Sequence, residues 1–279
     1  METYNLVDSS FPRDNYAVNG SISKYVIWDR NIVKMDRPTF FTDYEVFSDK
    51  VDRLNFDHRF ALLIESQSIY PHMYEDFDRV ASKFKKIFTH NSKLLERYDN
   101  ARWIPGGGVW ANEINKNGEG FNKKDKNISF LSSRKLNCKM HLLRFILANI
   151  LKKFSKQVDV FIPNSIYQNY SVGETLDKYR YSVVIENHIS DLYFTEKVLN
   201  CFASRTIPIY LGAKKINNYF DVKGIVVWSD LVKLIYDKNF KLDEAFYLKR
   251  KSSIDKNEEL VKSYYSLEDY IYLNYMDSK

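Results

Sequence analysis

The chain contains few of the residues that mark disordered or disulfide-stabilised proteins. Its 279 residues include only two cysteines, nine glycines and six prolines. So few glycines and prolines argue against long disordered linkers. The cysteines, Cys138 and Cys201, lie far apart in the sequence and lack the spacing of metal ligands or of a disulfide framework. We therefore predict a globular protein with free thiols and no structural disulfide, as is usual in a reducing compartment.

Long apolar segments and blocks of like charge are also absent. The longest apolar run, near residues 145–148, is far too short to span a bilayer. Residues 1–15 have no apolar stretch of the kind found in a signal peptide. The net charge of +6 comes without the block of like charges typical of a nucleic-acid-binding arm, and it fits either an anionic ligand or simple solubility. This predicts a cytoplasmic protein with at most peripheral membrane contact and no nucleic-acid partner.

Apolar runs alternate with helical patterns in both halves of the chain. Strands are predicted at 24–28, 60–64, 86–90, 102–105, 127–131, 158–162, 181–185, 207–211 and 225–228, and helices at 73–86, 92–96, 140–154, 195–203 and towards the C-terminus. Such alternation predicts an α/β protein with two Rossmann-like domains and mostly parallel sheets. A change to Gly, Asn and Lys between residues 106 and 126 predicts domains at 1–115 and 124–260, with a helix at 261–279 that returns to the first domain.

The most informative segment follows the predicted strand at 181–185. That strand carries Glu186 and Asn187 to its carboxyl end, where ligands of open α/β sheets gather. Thr195 is suited to cap the next helix, and Glu196 and Lys197 fall in its first turn. A helix N-terminus favours a phosphate and disfavours a lysine unless an anion lies nearby. The residues alone fit a diphosphate site and a capped surface helix equally well.

This segment resembles the C-terminal domain of the α1,3-fucosyltransferases, glycosyltransferase family 10. The matching elements are Tyr179-Arg180-Tyr181, Glu186-Asn187, Tyr193-Phe194-Thr195-Glu196-Lys197 and the strand from Pro208 to Gly212. The resemblance implies a GT-B fold, in which two Rossmann-like domains face a central cleft and the second binds the donor. It implies that Asn187, Tyr193, Glu196 and Lys197 contact a nucleotide sugar, and that catalysis requires no divalent metal. We add Glu186 and Thr195 to the predicted donor-binding residues.

A weaker match to the family lies upstream of this segment. Ser132-Ser133 followed by His141-Leu142-Leu143-Arg144 resembles the family's loop and helix that carry a diphosphate-binding arginine. A guanidinium suits a diphosphate because it binds two oxygens at once. Arg144 is therefore the predicted diphosphate ligand, with Arg134 and Lys139 as alternatives.

Glu65 is the predicted general base. It follows a buried strand, and it resembles the family's glutamate that is proposed as base, although Gln67 stands where many members have proline after Glu-Ser. A structural loop carboxylate is the alternative interpretation. The glycines at 106–108 lack the Lys-Ser/Thr of a phosphate-binding loop and are interpreted as a tight turn with room for a ligand.

The resemblance to the fucosyltransferases implies an inverting glycosyltransferase that moves a sugar, L-fucose from GDP-fucose, onto a hydroxyl of a glycan acceptor. No cofactor is expected besides the nucleotide sugar. Another donor such as UDP-xylose, or a non-catalytic protein that binds glycans or nucleotides, remains an alternative. The sequence specifies neither the acceptor nor the oligomeric state.

Overall fold

The computed structural model describes residues 1–11, 15–31, 34, 36–110, 124–155, 157–164, 170–230, 233 and 241–277. The chain divides into two compact units: Met1–Gly108 with Ser263–Lys279, and Val109–Lys262. The predicted domain end at residue 115, and most of the segment that led to it, lie outside the described residues.

The first unit contains a six-stranded parallel sheet. Its strands are β1 Glu2–Val7, β2 Val26–Asp29, β3 Thr39–Thr42, β4 Arg59–Leu63, β5 Lys86–Thr89 and β6 Ala101–Trp103. They are ordered β2-β1-β3-β4-β5-β6, and each pairing is parallel.

The second unit contains a five-stranded parallel sheet. Its strands are β7 Lys126–Leu131, β8 Val158–Phe161, β9 Tyr179–Ile185, β10 Ile207–Leu211 and β11 Val226–Val227. The order β11-β10-β9-β7-β8 puts β9 in the centre. The two parallel sheets confirm the predicted α/β class.

Helices connect the strands of both sheets. They are α1 Pro71–Asp76, α2 Ser92–Arg97, α3 Lys139–Phe154, α4 Val172–Leu176, α5 Glu196–Ala203, α6 Glu244–Leu248, α7 Lys251–Val261 and α8 Leu267–Ile271. Short 3-10 turns occur at Asp43–Phe47, Val51–Arg53, Phe56–His58, Phe77–Arg79, Ala81–Lys83, Ile216–Asn218, Val222–Gly224 and Lys262–Tyr264, and a π turn at Tyr272–Met276. Among the described residues, no helix is long and apolar enough to cross a membrane.

Side chains of the first sheet alternate between two apolar layers. Phe41 and Leu63 belong to one buried cluster, whereas Phe40 and Phe60 belong to the cluster on the other face. The rings of Phe40 and Phe60 stack with centroids 5.0 Å apart. A sheet covered on both faces explains why its central strands are continuous apolar runs, and it leaves the strand ends as the places for polar side chains.

One expectation for the first unit is wrong. The helix predicted at 73–86 ends at Asp76 and continues as 3-10 turns. In the glycine triplet at 106–108, a side chain on Gly107 would come within 2.7 Å of Asn19 and one on Gly108 within 2.5 Å of the Tyr265 carbonyl. The triplet packs against the chain itself.

Candidate functional site

The carboxyl end of β9 brings most of the predicted donor residues together. Glu186 and Asn187 directly follow this central, buried strand. Helix α5 begins at Glu196, with Thr195 as its N-cap. The helix starts there because Thr195 Oγ1 accepts a hydrogen bond from the Lys197 backbone N–H at 3.3 Å. The strand end and the helix start therefore form one local structure.

Glu186 is completely buried beneath the start of α5. Its Oε1 accepts a hydrogen bond from the Thr195 N–H at 3.0 Å, and its Oε2 accepts one from the Thr195 hydroxyl at 2.7 Å. Burial raises the pKa of Glu186, although the nearby Lys197 ammonium opposes the shift. Both carboxylate oxygens are therefore engaged by Thr195, and Glu186 positions that residue. The direct donor contact expected of Glu186 stays a prediction.

Lys197 and Glu196 form an ion pair that is partly open to solvent. Lys197 Nζ lies 2.7 Å from Glu196 Oε1 and 3.8 Å from Glu186 Oε2, and the Lys197 and Glu196 side chains are each 24% exposed. Burial acts to raise the pKa of Glu196, but the Lys197 ammonium together with hydrogen bonds from Thr195 and the backbone makes the net shift downward. The two carboxylates supply the anion that a lysine at a helix N-terminus requires. The position of Lys197 therefore does not by itself demand a phosphate.

Arg144 extends from α3 into the same cluster. It is 7% exposed, and its Nη1 donates to the Ile185 carbonyl at 3.2 Å. Burial lowers the pKa of Arg144, while Glu186 and Glu196 oppose that shift. Its buried Nε has no hydrogen-bond partner in the described part of the chain, so one donor of the guanidinium is unsatisfied inside the protein.

The two alternatives to Arg144 lie at the surface. Arg134 and Lys139 are both exposed. Arg134 Nε donates to the Pro163 carbonyl at 2.6 Å. Of the three cations considered for a diphosphate, Arg144 is the one that shares the neighbourhood of Glu186 and Glu196.

His141 belongs to this site as well, although the sequence identified it only as part of a motif. Its Nδ1 accepts the Asn137 N–H at 3.2 Å, so its Nε2 carries the proton and donates to Asn187 Oδ1 at 3.0 Å. Burial lowers the pKa of His141 to about 4, and the Arg144 and Lys197 charges add to the effect. The neutral ring thus orients the Asn187 amide. The sequence signal that could have identified His141 is its spacing from Arg144: residues three apart lie on the same face of a helix.

Tyr193 lies beneath the surface of the site. It is 2% exposed, and its ring meets that of His188 at a centroid distance of 6.3 Å in an edge-on arrangement. Thr195 is also 2% exposed. The more accessible polar side chains are those of Asn187, His188, Glu196 and Lys197.

Gly212 allows the turn after β10 to approach Glu186. A side chain on Gly212 would come within 2.3 Å of the Tyr210 hydroxyl and 2.5 Å of Glu186 Cγ. The Tyr210 hydroxyl also accepts the Ala213 N–H at 3.0 Å. The glycine that closes the family-like motif is therefore explained by close packing against Glu186.

Glu65 lies in the first unit, directly after β4. It is partly buried, and its Oε2 accepts the Ser66 N–H at 3.3 Å. Its backbone carbonyl accepts the Tyr74 hydroxyl at 2.7 Å. The loop backbone around Glu65 is thus held by hydrogen bonds.

Asp43 is a second carboxylate beside Glu65, and the sequence did not single it out. It is fully buried at the end of β3 and has a positive φ of 44°, a conformation that is strained for a non-glycine residue. Its Oδ1 accepts the N–H groups of Ile64 at 2.9 Å and Glu65 at 3.1 Å, and its Oδ2 has no hydrogen-bond partner in the described part of the chain. Burial raises the pKa of Asp43 to about 8, and the Glu65 charge contributes. Asp43 therefore fixes the backbone from which Glu65 projects.

Metal-binding side chains do not cluster in the parts of the chain that the structure describes. No group of three or more His, Cys, Asp or Glu residues there is arranged to hold an ion.

Comparison with known proteins identifies the family. The family described as "Glycosyltransferase family 10 (fucosyltransferase) C-term" matches residues 121–271, more than half of the chain. A provisionally named fucosyltransferase of Acanthamoeba polyphaga mimivirus is 30% identical over 114 residues, which are 41% of this chain and 17% of that protein. The Helicobacter pylori protein named alpha-(1,3)-fucosyltransferase FucT is 34% identical over 84 residues, or 30% of this chain and 16% of that protein. The matched regions span about one sixth of these relatives.

A solved structure shares the fold over nearly the whole chain. A crystal structure of an α1,3-fucosyltransferase matches with a TM-score of 0.50 and 15% identity, covering 99% of this chain and 89% of that one. At this identity the match concerns the fold alone, and it agrees with the GT-B class. The family match over residues 121–271, which includes all of the cluster at the end of β9, shows that the chain belongs to glycosyltransferase family 10.

Proposed function

We propose that the chain is an inverting glycosyltransferase that moves L-fucose from GDP-fucose onto a hydroxyl group of a glycan acceptor. The observation that carries the proposal is the cluster at the end of β9, where accessible Asn187, Glu196 and Lys197 lie within the region matched by the fucosyltransferase family. Fucose is favoured because the family and the bacterial relative are both named for its transfer.

The donor site is proposed to work through a few accessible groups held by buried ones. Lys197 and the guanidinium of Arg144 stabilise the diphosphate, because cations stabilise the negative charge that develops on the leaving group. Asn187 and Glu196 bind hydroxyl groups of the nucleotide sugar. Glu186 and His141 act through their neighbours Thr195 and Asn187, and Tyr193 supports the floor of the site.

The proposed reaction is a single displacement at the anomeric carbon. The acceptor oxygen forms the new bond to that carbon while the bond to the diphosphate oxygen breaks and GDP leaves with the electron pair. The transition state resembles an oxocarbenium ion. Glu65 is proposed to take the acceptor hydroxyl proton as general base. No metal ion is required in this scheme.

Asp43 is proposed to support Glu65 as a positioning residue. With a pKa of about 8 its side chain is largely uncharged at neutral pH, so it adds little repulsion to an ionised Glu65. Its two hydrogen bonds to the Ile64 and Glu65 backbone hold the loop in place. A fixed base is worth more to catalysis than a mobile one because its orientation does not have to be established during each turnover.

Donor binding tests the proposal most directly. The thermal unfolding midpoint is measured with GDP, GDP-fucose, UDP and UDP-xylose, for the native chain and for Lys197→Ala, with the exposed Lys223→Ala as matched control. A ligand at 100 times its Kd stabilises by about 2.7 kcal/mol, so GDP-fucose should raise the midpoint of the native and control proteins and raise that of Lys197→Ala by less.

The remaining outcomes separate the alternatives. Stabilisation by UDP-xylose alone would reassign the donor. Stabilisation by GDP-fucose without release of GDP in the presence of glycan acceptors would favour a non-catalytic binding protein. Stabilisation by none of the nucleotides would contradict the donor site itself.

A further inference from the structure

One segment of the chain contains many basic residues and no acidic ones. Residues 126–158 contain eight Lys and Arg residues and no Asp or Glu. This exceeds the net charge of +6 of the whole protein, so the rest of the chain is slightly acidic. Helix α3 forms about half of the segment, with 16 residues. Such a one-signed helix attracts an anionic partner.

The outward side of α3 is apolar. Leu142 is 48% exposed, Leu143 36%, Ile146 47% and Ile150 43%. Their spacing of three and four residues puts them on one side of the helix. We call these four residues the α3 outer face. Isolated exposed leucines are ordinary, whereas neighbouring exposed aliphatic side chains on one side of a helix are typical of an interaction surface.

The opposite side of α3 already has its partners. Ala148 and Leu151 pack into the core of the second sheet, and His141 and Arg144 belong to the site at the end of β9. The α3 outer face is therefore additional to what the fold needs.

Exposed lysines lie at both ends of α3, Lys139 in its first turn and Lys152 and Lys153 in its last. In the described part of the chain, no carboxylate forms a salt bridge with Lys139 or Lys152. A helix with aliphatic residues on one side, lysines at its ends and no acidic residue is typical of helices that lie in the headgroup region of an anionic bilayer. We propose that the α3 outer face docks on an anionic lipid membrane.

Docking in this way has a geometric consequence. A helix with its side chains is about 10–12 Å across. His141 and Arg144, on the inner side of α3, would therefore lie roughly one helix diameter from the lipid headgroups. This inference concerns the helix alone and does not depend on which sugar is transferred.

Vesicle flotation tests the proposal on the full chain. The protein is mixed with vesicles of phosphatidylcholine alone, or of phosphatidylcholine with about 30% phosphatidylglycerol, at low and high salt. We expect flotation with the anionic vesicles, little with the neutral ones, and a loss at high salt because the lysine contribution is screened. Equal binding to both vesicle types, or to neither, would overturn the proposal.

Two pairs of variants separate the apolar and the charged contributions. Lys139→Gln with Lys152→Gln should weaken anionic-vesicle binding roughly 25-fold, about fivefold per charge. Leu142→Ser with Ile146→Ser should weaken it by roughly tenfold or more. All four positions are exposed, so folding should be kept.

Matched controls show whether the effects are local. Leu248→Ser changes a leucine that is also 48% exposed, and Lys178→Gln with Lys249→Gln removes two exposed lysines elsewhere in the second unit. These controls should bind vesicles as the native chain does. If they lose binding to the same extent, non-specific attraction explains it. If the native chain is a dimer without lipid and Leu142→Ser with Ile146→Ser makes it monomeric, the α3 outer face is a contact between copies and the membrane proposal is wrong.

Discussion

Glu186 and Thr195 are joined by two hydrogen bonds that tie the end of β9 to the start of α5. The carboxylate of Glu186 accepts from both the backbone N–H and the hydroxyl of Thr195. Thr195 in turn caps the helix that carries Glu196 and Lys197. The accessible side chains of the candidate donor site are thus anchored to the central strand, and such anchoring preorganises a binding site.

Replacing Lys197 by alanine should impair both donor binding and turnover. The variant loses a cation proposed to stabilise the departing diphosphate, and loss of one such contact lowers kcat roughly 10²- to 10³-fold. Steady-state kinetics with GDP-fucose should show a raised donor KM and a lowered kcat, whereas Lys223→Ala should leave both unchanged. Unaltered constants for Lys197→Ala would remove the diphosphate role.

Replacing Glu65 by glutamine should abolish turnover and leave donor binding intact. The amide keeps the shape of the side chain but accepts no proton from the acceptor hydroxyl. Calorimetry should give the same Kd for GDP-fucose as in the native chain. Glu75→Gln, on the exposed part of α1, is the control. A near-normal kcat for Glu65→Gln would show that the base assignment is wrong.

Asp43 should make folding pH-dependent in a defined direction. Its folded pKa of about 8 exceeds the usual value of 3.8, so the folded state binds the extra proton between these values. Stability contributed by this group is therefore present at low pH and falls as pH rises towards 8, by at most about 1.4 kcal/mol per pH unit.

Asp43→Asn resembles the protonated side chain and should remove this dependence. Thermal unfolding of the two proteins is compared between pH 5 and about pH 8. As pH rises, the unfolding midpoint of Asp43→Asn should increase relative to that of the native chain. A constant difference across the window would show that Asp43 is ionised throughout.

His141 should remain neutral throughout the neutral pH range. Its pKa of about 4 lies below the usual 6.5, so the unfolded state binds more protons between these values. The stability associated with the neutral ring is complete above about pH 6.5 and is lost as pH falls towards 4. The NMR chemical shifts of the ring protons should follow this titration, and a midpoint near 6.5 would contradict the buried, Asn187-bound ring.

The hydrogen bond between His141 and Asn187 should influence donor affinity. His141→Phe removes the hydrogen bond that orients Asn187, and a typical net loss of about 0.5–1.5 kcal/mol corresponds to a donor KM raised by roughly 2- to 13-fold. His141→Gln keeps a donor near the Nε2 position and should restore part of the loss. Because the role is positioning, KM should change more than kcat.

Gly212→Ala should destabilise the second unit. The added methyl group would overlap the Tyr210 hydroxyl and Glu186 Cγ, and overpacking of this kind costs about 1–3 kcal/mol. Its unfolding midpoint should therefore fall. Gly173→Ala, in helix α4, is the control and should be neutral or slightly stabilising. Equal stability of the two variants would contradict the close approach.

Local sequence patterns were sufficient to predict many elements. The strand at 207–211 was predicted with its observed bounds, and those ending at 131 and 185 differ from prediction only at their starts. Thr195 caps α5 as its side chain suggested. Such features depend on neighbouring residues, and these are visible in the sequence.

β1 and β3 were missed because tertiary contacts create them. Asn5 interrupts the apolar pattern of β1, yet it is fully buried and donates to Thr39 Oγ1 on β3 at 2.9 Å. β3 has only four residues, Thr39–Thr42, between β1 and β4. Neither a buried asparagine with a distant partner nor a four-residue central strand gives a local signal.

The sequence by itself determined the α/β class, the order of most elements and the meeting of Glu186 with Thr195-Glu196-Lys197 at the end of β9. Tertiary structure alone decided the hydrogen-bond partner of each side chain. Glu186 binds Thr195, His141 binds Asn187, and Asp43 binds the backbone of Glu65. The physical reason is that burial and hydrogen-bond partners come from segments far apart in the chain. Local patterns say which side chains are available, and packing determines which of them remain accessible.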